Sequence, residues 1–86
     1  MRDLDELRRE IDTIDSQLLT LFAIRFAVVH EVGKYKKKNI LPIQDKKREQ
    51  LLVEGLSEKA RTLNISRIFI QKVWNAVFQE AYNVET

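Results

Sequence analysis

The chain has no cysteine, one proline and two glycines among its 86 residues. Without thiols, neither a disulfide framework nor a thiolate metal site can stabilise a small domain. So few glycines and prolines cannot supply the tight connections of an all-β fold. A single histidine, His30, excludes a two-histidine metal site. Neither sign of charge dominates, with 15 basic and 13 acidic side chains and a formal net charge of +2, too balanced to imply a nucleic-acid partner. No apolar run approaches the roughly 20 residues of a membrane span. The segment Met1-Arg2-Asp3-Leu4-Asp5-Glu6 is too acidic and polar for a signal peptide. Phosphate-cradling glycine loops, a nucleophile elbow and carboxylates at metal-ligand spacing are all missing.

What remains is 44% hydrophobic and 33% charged, the composition of a soluble globular chain. The expected protein is a single domain over residues 1–86, cytoplasmic, with no metal, cofactor, nucleic acid or membrane partner. A domain this short buries only about 60–65% of its unfolded surface, so its core is marginal. Small scaffolds without staples often oligomerise.

Apolar residues recur in alternating steps of three and four from Leu4 through Leu7, Ile11, Ile14, Leu18 and Leu21, then Val28, Val32 and Tyr35. That is the seam of a helix packed on other helices. Asp3 is a suitable N-cap, with Glu6 as its capping-box partner. Gly33 costs about 1 kcal/mol against alanine without stopping the pattern. The spacing predicts a first helix over residues 4–38, about 50 Å long. A compact chain of this length has a radius of gyration near 12 Å, so the helix overshoots its own domain and a second copy is the simplest cover for the overhang. Asp45 can cap a second helix to about Ala60, with Leu51, Leu52, Leu56 and Ala60 inward. Asn64 can cap a third, whose wide apolar face runs from Ile68 and Phe69 through Val73, Trp74 and Val77 to Tyr82. The expected fold is all-α, three helices with one very long, in an intertwined homodimer.

The seam has one violation. Arg25 falls on it with no acidic residue at i±3 or i±4. A buried guanidinium needs an anionic partner, so Arg25 either binds a ligand, pairs with a carboxylate of another helix, or snorkels to the surface. Lys36, eleven residues on, returns to within about 20° of the same face. Its alternative is solvation within the basic run Lys34–Lys38. Arg8 lies about 25 Å before Arg25, so the two cannot share a small ligand within one chain, though they meet in an antiparallel dimer. Arg8 otherwise pairs with Asp5 or Asp12. Lys46, Lys47 and Arg48 open the second helix against its dipole, which suits an anion nearby or plain solvation. His30 is a surface residue. A site of cations suits a small dianion and a reaction that needs positioning and electrostatics rather than covalent chemistry.

The ordered set Leu7-Arg8-x-x-Ile11-Asp12-x-Ile14-Asp15-x-x-Leu18-Leu19, Arg25, Val32-Gly33-Lys34-x-Lys36 and Pro42-Ile43-x-Asp45-x-x-Arg48-Glu49 resembles the all-helical (type II) chorismate mutases. The resemblance spans the first fifty residues without a gap and continues along the third helix. It implies an intertwined dimer with two shared sites. It also implies an isomerase, rearranging chorismate to prephenate on the shikimate route to phenylalanine and tyrosine. By the same resemblance, Arg25 binds one substrate carboxylate and Arg8 of the partner chain the other. Lys36 donates to the ether oxygen, the Asp45 region and Glu49 hold the ring hydroxyl, and Arg48 lines the same wall.

Two positions depart from the family pattern. Ala81 stands where many members have a serine near the ring carboxylate, and Glu85 where many have a glutamine donating to the ether oxygen. An ionised glutamate cannot donate that bond, whereas a protonated one does, so the expected activity falls as pH rises. The rival expectations are an isochorismate-pyruvate lyase or an aminochorismate mutase on the same fold, or a non-catalytic helical dimerisation module. Retention of Asp45 and Glu49 favours the mutase over the lyase, and a bare module leaves Arg25 and Lys36 unexplained.

Overall fold

A computed structural model describes all residues, Met1–Thr86, as three helices and no strand: α1 Leu4–Lys38, α2 Lys46–Thr62 and α3 Arg67–Glu85. Each helix starts where a short polar side chain accepts an otherwise orphaned backbone N–H. Asp3 accepts from Glu6 at 2.9 Å, Asp45 from Arg48 at 3.0 Å and Ser66 from Phe69 at 3.1 Å. Only this half of the expected Asp3–Glu6 capping box forms.

The third cap corrects the sequence reading. Asn64 does not open α3; it closes α2, lying in the left-handed region at φ 60°. The Asn64 N–H donates to the Arg61 carbonyl and the Ile65 N–H to the Ala60 carbonyl, the paired bonds of a Schellman stop. Asparagine suits both ends of a helix, and here the C-terminal role leaves the cap of α3 to Ser66. The end of α1 repeats the device with a costlier residue. Ile40 takes φ 55°, and the Leu41 N–H donates to the Lys36 carbonyl at 2.8 Å. A β-branched side chain in that region is strained.

α3 is the hub: it packs against both α1 and α2, which do not pack on each other. Only seven residues are buried, and the hydrophobic ones among them are Ala60, Ile70, Val77 and Ala81. On α1, partial burial begins at Phe22, whose ring stacks on Phe26 at 6.3 Å between centroids. Upstream, Leu4, Leu7, Ile11, Ile14, Leu18 and Leu21 are all exposed. The radius of gyration is 16.3 Å and the extents 57 × 24 × 15 Å, the dimensions of a rod rather than of the ~12 Å globule expected for this length. No helix is long and apolar enough to cross a membrane.

Val28, Val32 and Tyr35 of the expected α1 seam are exposed too, and so are three residues of α2 and α3 expected to face inward, Leu51, Ile68 and Phe69. Leu51 lies about 180° around α2 from Ala60, and Ile68 and Phe69 about 160° and 100° around α3 from Ile70, so the contact faces leave them out. Ile70 is the buried residue that the apolar pattern of α3 did not single out.

The two glycines have opposite surroundings. A Cβ on Gly33 would lie 2.9 Å from both Cα and O of Glu85, whereas one on Gly55 meets nothing within 4 Å. Gly33→Ala should therefore push α1 and α3 apart and destabilise by about 1–3 kcal/mol despite its better helix propensity. Gly55→Ala should stabilise by about 0.5–1 kcal/mol. Urea denaturation of both variants at one protein concentration checks the two signs.

Candidate functional site

The absence of a side chain at Gly33 lets the last turn of α3 lie directly against α1. One helical turn on, Lys36 projects beside it and its ammonium donates to Glu85 Oε1 at 2.6 Å and to the Ile43 carbonyl at 2.7 Å. The Schellman stop at the end of α1 turns the chain back so that Ile43 reaches Lys36. Lys36 is thus no solvated member of a basic run: its side chain is 20% exposed and that of Glu85 6%. Glu85 ends α3 as an ordered, buried residue.

Arg25 is half-buried on the same side of α1, and its Nη1 is buried with no hydrogen-bond partner. No carboxylate of the chain pairs with it. Burial first, and then the positive charge of Arg48, lower the guanidinium pKa from its ordinary value. Arg48 itself is exposed in the first turn of α2. Two cations therefore share a field that no anion of the chain neutralises, and a half-buried guanidinium there attracts a carboxylate strongly.

The acidic residues of α2 are held differently. One Asp45 oxygen is engaged in capping. Glu49, half-buried, accepts the phenolic O–H of Tyr82 through Oε2. The Tyr82 pKa is pushed up to about 12 by burial, then by the hydrogen bond and charge of Glu49, with Glu85 adding its own charge. The phenol therefore sits between two carboxylates as a permanent donor. Nothing in the spacing of the sequence pointed to this bond or to the Ile43 carbonyl. The only signal for Tyr82 was its place three residues before Glu85. Ala81, buried on the same helix, adds a methyl group and no donor.

Lys36 and Glu49 thus meet Glu85 and Tyr82 of the last turn of α3 beside the buried Ala81, and the Arg25 guanidinium lies in the field of Arg48, with Asp45 at the entrance to α2. Arg8 does not join them. It is exposed on the projecting half of α1, about 25 Å from Arg25 along a continuous helix, and pairs with neither Asp5 nor Asp12. His30, Lys46 and Lys47 are exposed. A shallow groove between α2 and α3, lined by Lys46, Glu49, Gln50, Val53, Arg67 and Phe78 among others, contains neither Arg25 nor Lys36. It shares Glu49 with the residues above, but the unpartnered cation and the buried ion pair lie outside it.

Known proteins share this arrangement of sequence. The family profile described as chorismate mutase type II matches residues 7–86. The chain is 37% identical over 82 residues to a T-protein of Haemophilus influenzae, 95% of this chain and 22% of that protein. It is 32% identical over 79 residues to a bifunctional chorismate mutase/prephenate dehydratase of Buchnera aphidicola, 92% of this chain and 20% of that protein. To the chorismate mutase of Methanocaldococcus jannaschii it is 28% identical over 89 residues, 96% of this chain and 90% of that protein. The chain belongs to the chorismate mutase type II family. It spans about a fifth of the T-protein and of the bifunctional relative, and nearly all of the archaeal one.

Removing one member of the Lys36–Glu85 pair leaves the other desolvated. Glu85→Ala should destabilise by about 2–4 kcal/mol, and the double variant Lys36→Met/Glu85→Ala should lose clearly less than the sum of the single changes. A double-mutant cycle by chemical denaturation measures that coupling; additive losses would mean that the pair contributes nothing.

Proposed function

We propose that the chain is a chorismate mutase working as a homodimer, converting chorismate to prephenate by a Claisen rearrangement. The observation that carries this reading is the partnerless, half-buried guanidinium of Arg25 on the same face of α1 as Lys36. The substrate is a dianion, and its reaction is a unimolecular shift. The ether C–O bond breaks as a C–C bond forms, with no proton transferred and no cofactor required. Rate is then gained by holding the compact conformer and by placing positive charge where the ether oxygen gains electron density.

Arg25 takes one carboxylate and Lys36 donates to the ether oxygen, with Arg48 adding positive field from α2. Glu49 accepts from the ring hydroxyl through the oxygen that its Tyr82 bond leaves free, and the Asp45 region holds the same hydroxyl from the entrance to α2. Ala81 lines the wall near the ring carboxylate. The second carboxylate falls to Arg8 of a partner chain, because Arg8 of the same chain is out of reach. The exposed seam from Leu4 to Leu21 supports that dimer: burying it against its own copy covers the apolar surface and brings the second arginine.

Glu85 faces Lys36 of α1 and lies near Tyr82 of its own helix, which in turn holds Glu49 of α2. As a carboxylate it accepts from the lysine and repels the ether oxygen, so a neutral donor in its place favours the reaction.

Purified protein should therefore turn chorismate into prephenate, and Glu85→Gln should raise kcat/KM, because the amide donates where the carboxylate repels. Lys36→Ala should lower kcat/KM by about 100- to 1,000-fold. Salicylate from isochorismate as the dominant product would assign the chain instead to the lyases of this fold. Turnover of the 4-amino analogue alone would make it an aminochorismate mutase, and no turnover at all a dimerisation module.

The shared site has its own test. Arg8→Ala and Arg25→Ala homodimers should each be nearly inactive. Their equimolar mixture, after subunit exchange, should regain about a quarter of the wild-type activity, because each mixed dimer holds one intact site. A mixture that stays inactive after demonstrated exchange would place both arginines in separate roles.

A further inference from the structure

Glu49 is the one acidic side chain of α2 tied to another helix, and its tie is a hydroxyl rather than a cation. We propose that Tyr82 is a positioning and specificity residue: its O–H holds one oxygen of the Glu49 carboxylate, so that the other is presented to the ring hydroxyl of the substrate. This rests on the mutase reading above and extends it to the choice of ring substituent.

The geometry supports three steps. First, a glutamate in the first turn of a helix has several rotamers open to it, and a bond to a half-buried phenol on α3 selects one of them. Ordering the carboxylate before substrate arrives removes that entropy cost from binding. Second, a phenol has a single proton to donate. Because that proton is committed to Glu49, Tyr82 donates nothing to the substrate and acts only through the carboxylate. With its pKa held near 12, the phenol remains a donor at every pH where the protein works and never adds a third negative charge beside Glu49 and Glu85.

Third, the bond alters what Glu49 prefers. A carboxylate with one oxygen already satisfied has one strong acceptor left, the requirement of a single ring hydroxyl. A cationic amine at the same ring position draws on the full charge of the carboxylate, which the phenol partly screens. Tyr82 therefore biases the site toward the hydroxyl substrate and against its 4-amino analogue.

Tyr82→Phe keeps the ring and its packing and removes only the donor. It should raise KM for chorismate about 5- to 10-fold, the loss expected for one ordinary hydrogen bond, and leave kcat within about twofold. The ratio of kcat/KM for the 4-amino analogue over chorismate should rise. In a Glu49→Ala background the same change should shift KM by less than about twofold, since Tyr82 then has nothing to position. A purely structural tyrosine would instead lower stability with no split between kcat and KM and no change in substrate ratio.

A direct reading of the pair comes from ultraviolet titration of phenolate absorbance in Tyr35→Phe protein, where Tyr82 is the only tyrosine. The transition should lie near pH 12 and move down in Tyr35→Phe/Glu49→Gln. An unchanged KM and substrate ratio in Tyr82→Phe, with the wild type converting chorismate, overturns this proposal alone. A wild type that does not convert chorismate overturns the activity and this proposal with it. The titration then still reports whether the Tyr82–Glu49 bond exists.

Discussion

The last turn of α3 is the point on which the chain depends. Within five residues it presents Ala81, Tyr82 and Glu85, and through them it fastens both other helices. Glu85 ties α3 to α1 through Lys36, at a place where a glycine permits backbone contact, and Tyr82 ties it to α2 through Glu49. α1 and α2 do not pack on each other, so their relative placement is inherited from these two bonds and from Ile70, Val77 and Ala81 buried along α3. A chain with only seven buried residues has little apolar core to fall back on. Polar ties carry an unusual share of its geometry. They are also the side chains that the proposed chemistry uses, which couples stability to function within one helical turn.

That coupling explains the distribution of charge. Three cations, Arg25, Lys36 and Arg48, converge near the site and only Lys36 meets an anion of the chain. Pairing all three would give a quieter fold and a useless pocket. In the proposed enzyme, leaving Arg25 partnerless is a local loss that the bound substrate carboxylate recovers. Arg48 increases that loss through its charge, and so increases what a dianion gains on binding.

Helix boundaries were largely legible in the sequence because they are local. Asp3 and Asp45 cap the helices they were expected to cap, and α1 spans the residues its 3.5-residue seam marked out. Asn64 misled because asparagine serves equally at an N-cap and in the left-handed position after a helix; Ser66 was available two residues on, and only the paired bonds at Arg61 and Ala60 separate the roles. The site was half legible. Arg25 and Lys36 stood out as charges on an apolar stripe, which is a property of one helix. Their environments are properties of three: the Glu85 carboxylate lies 49 residues from Lys36 and the Tyr82 phenol 33 from Glu49, distances across which no periodicity speaks. Resemblance to a family supplied Glu85 and Glu49. It could not supply Tyr82, whose proposed role depends on the hydroxyl of this particular residue.

The exposed seam and the missing second arginine have one cause. A helix of 35 residues, fastened to α3 only from Phe22 onward, leaves its first five turns outside any core the chain can build. Those turns carry both the apolar seam and Arg8. Whatever buries the seam also fixes where Arg8 points, and in the proposed antiparallel dimer that is toward the site of the other chain. In the proposed enzyme, dimerisation is then not an addition to a finished site. The hydrophobic surface that makes the lone chain incomplete as a fold is on the same segment as the residue that makes it incomplete as a catalyst. One association step repairs both.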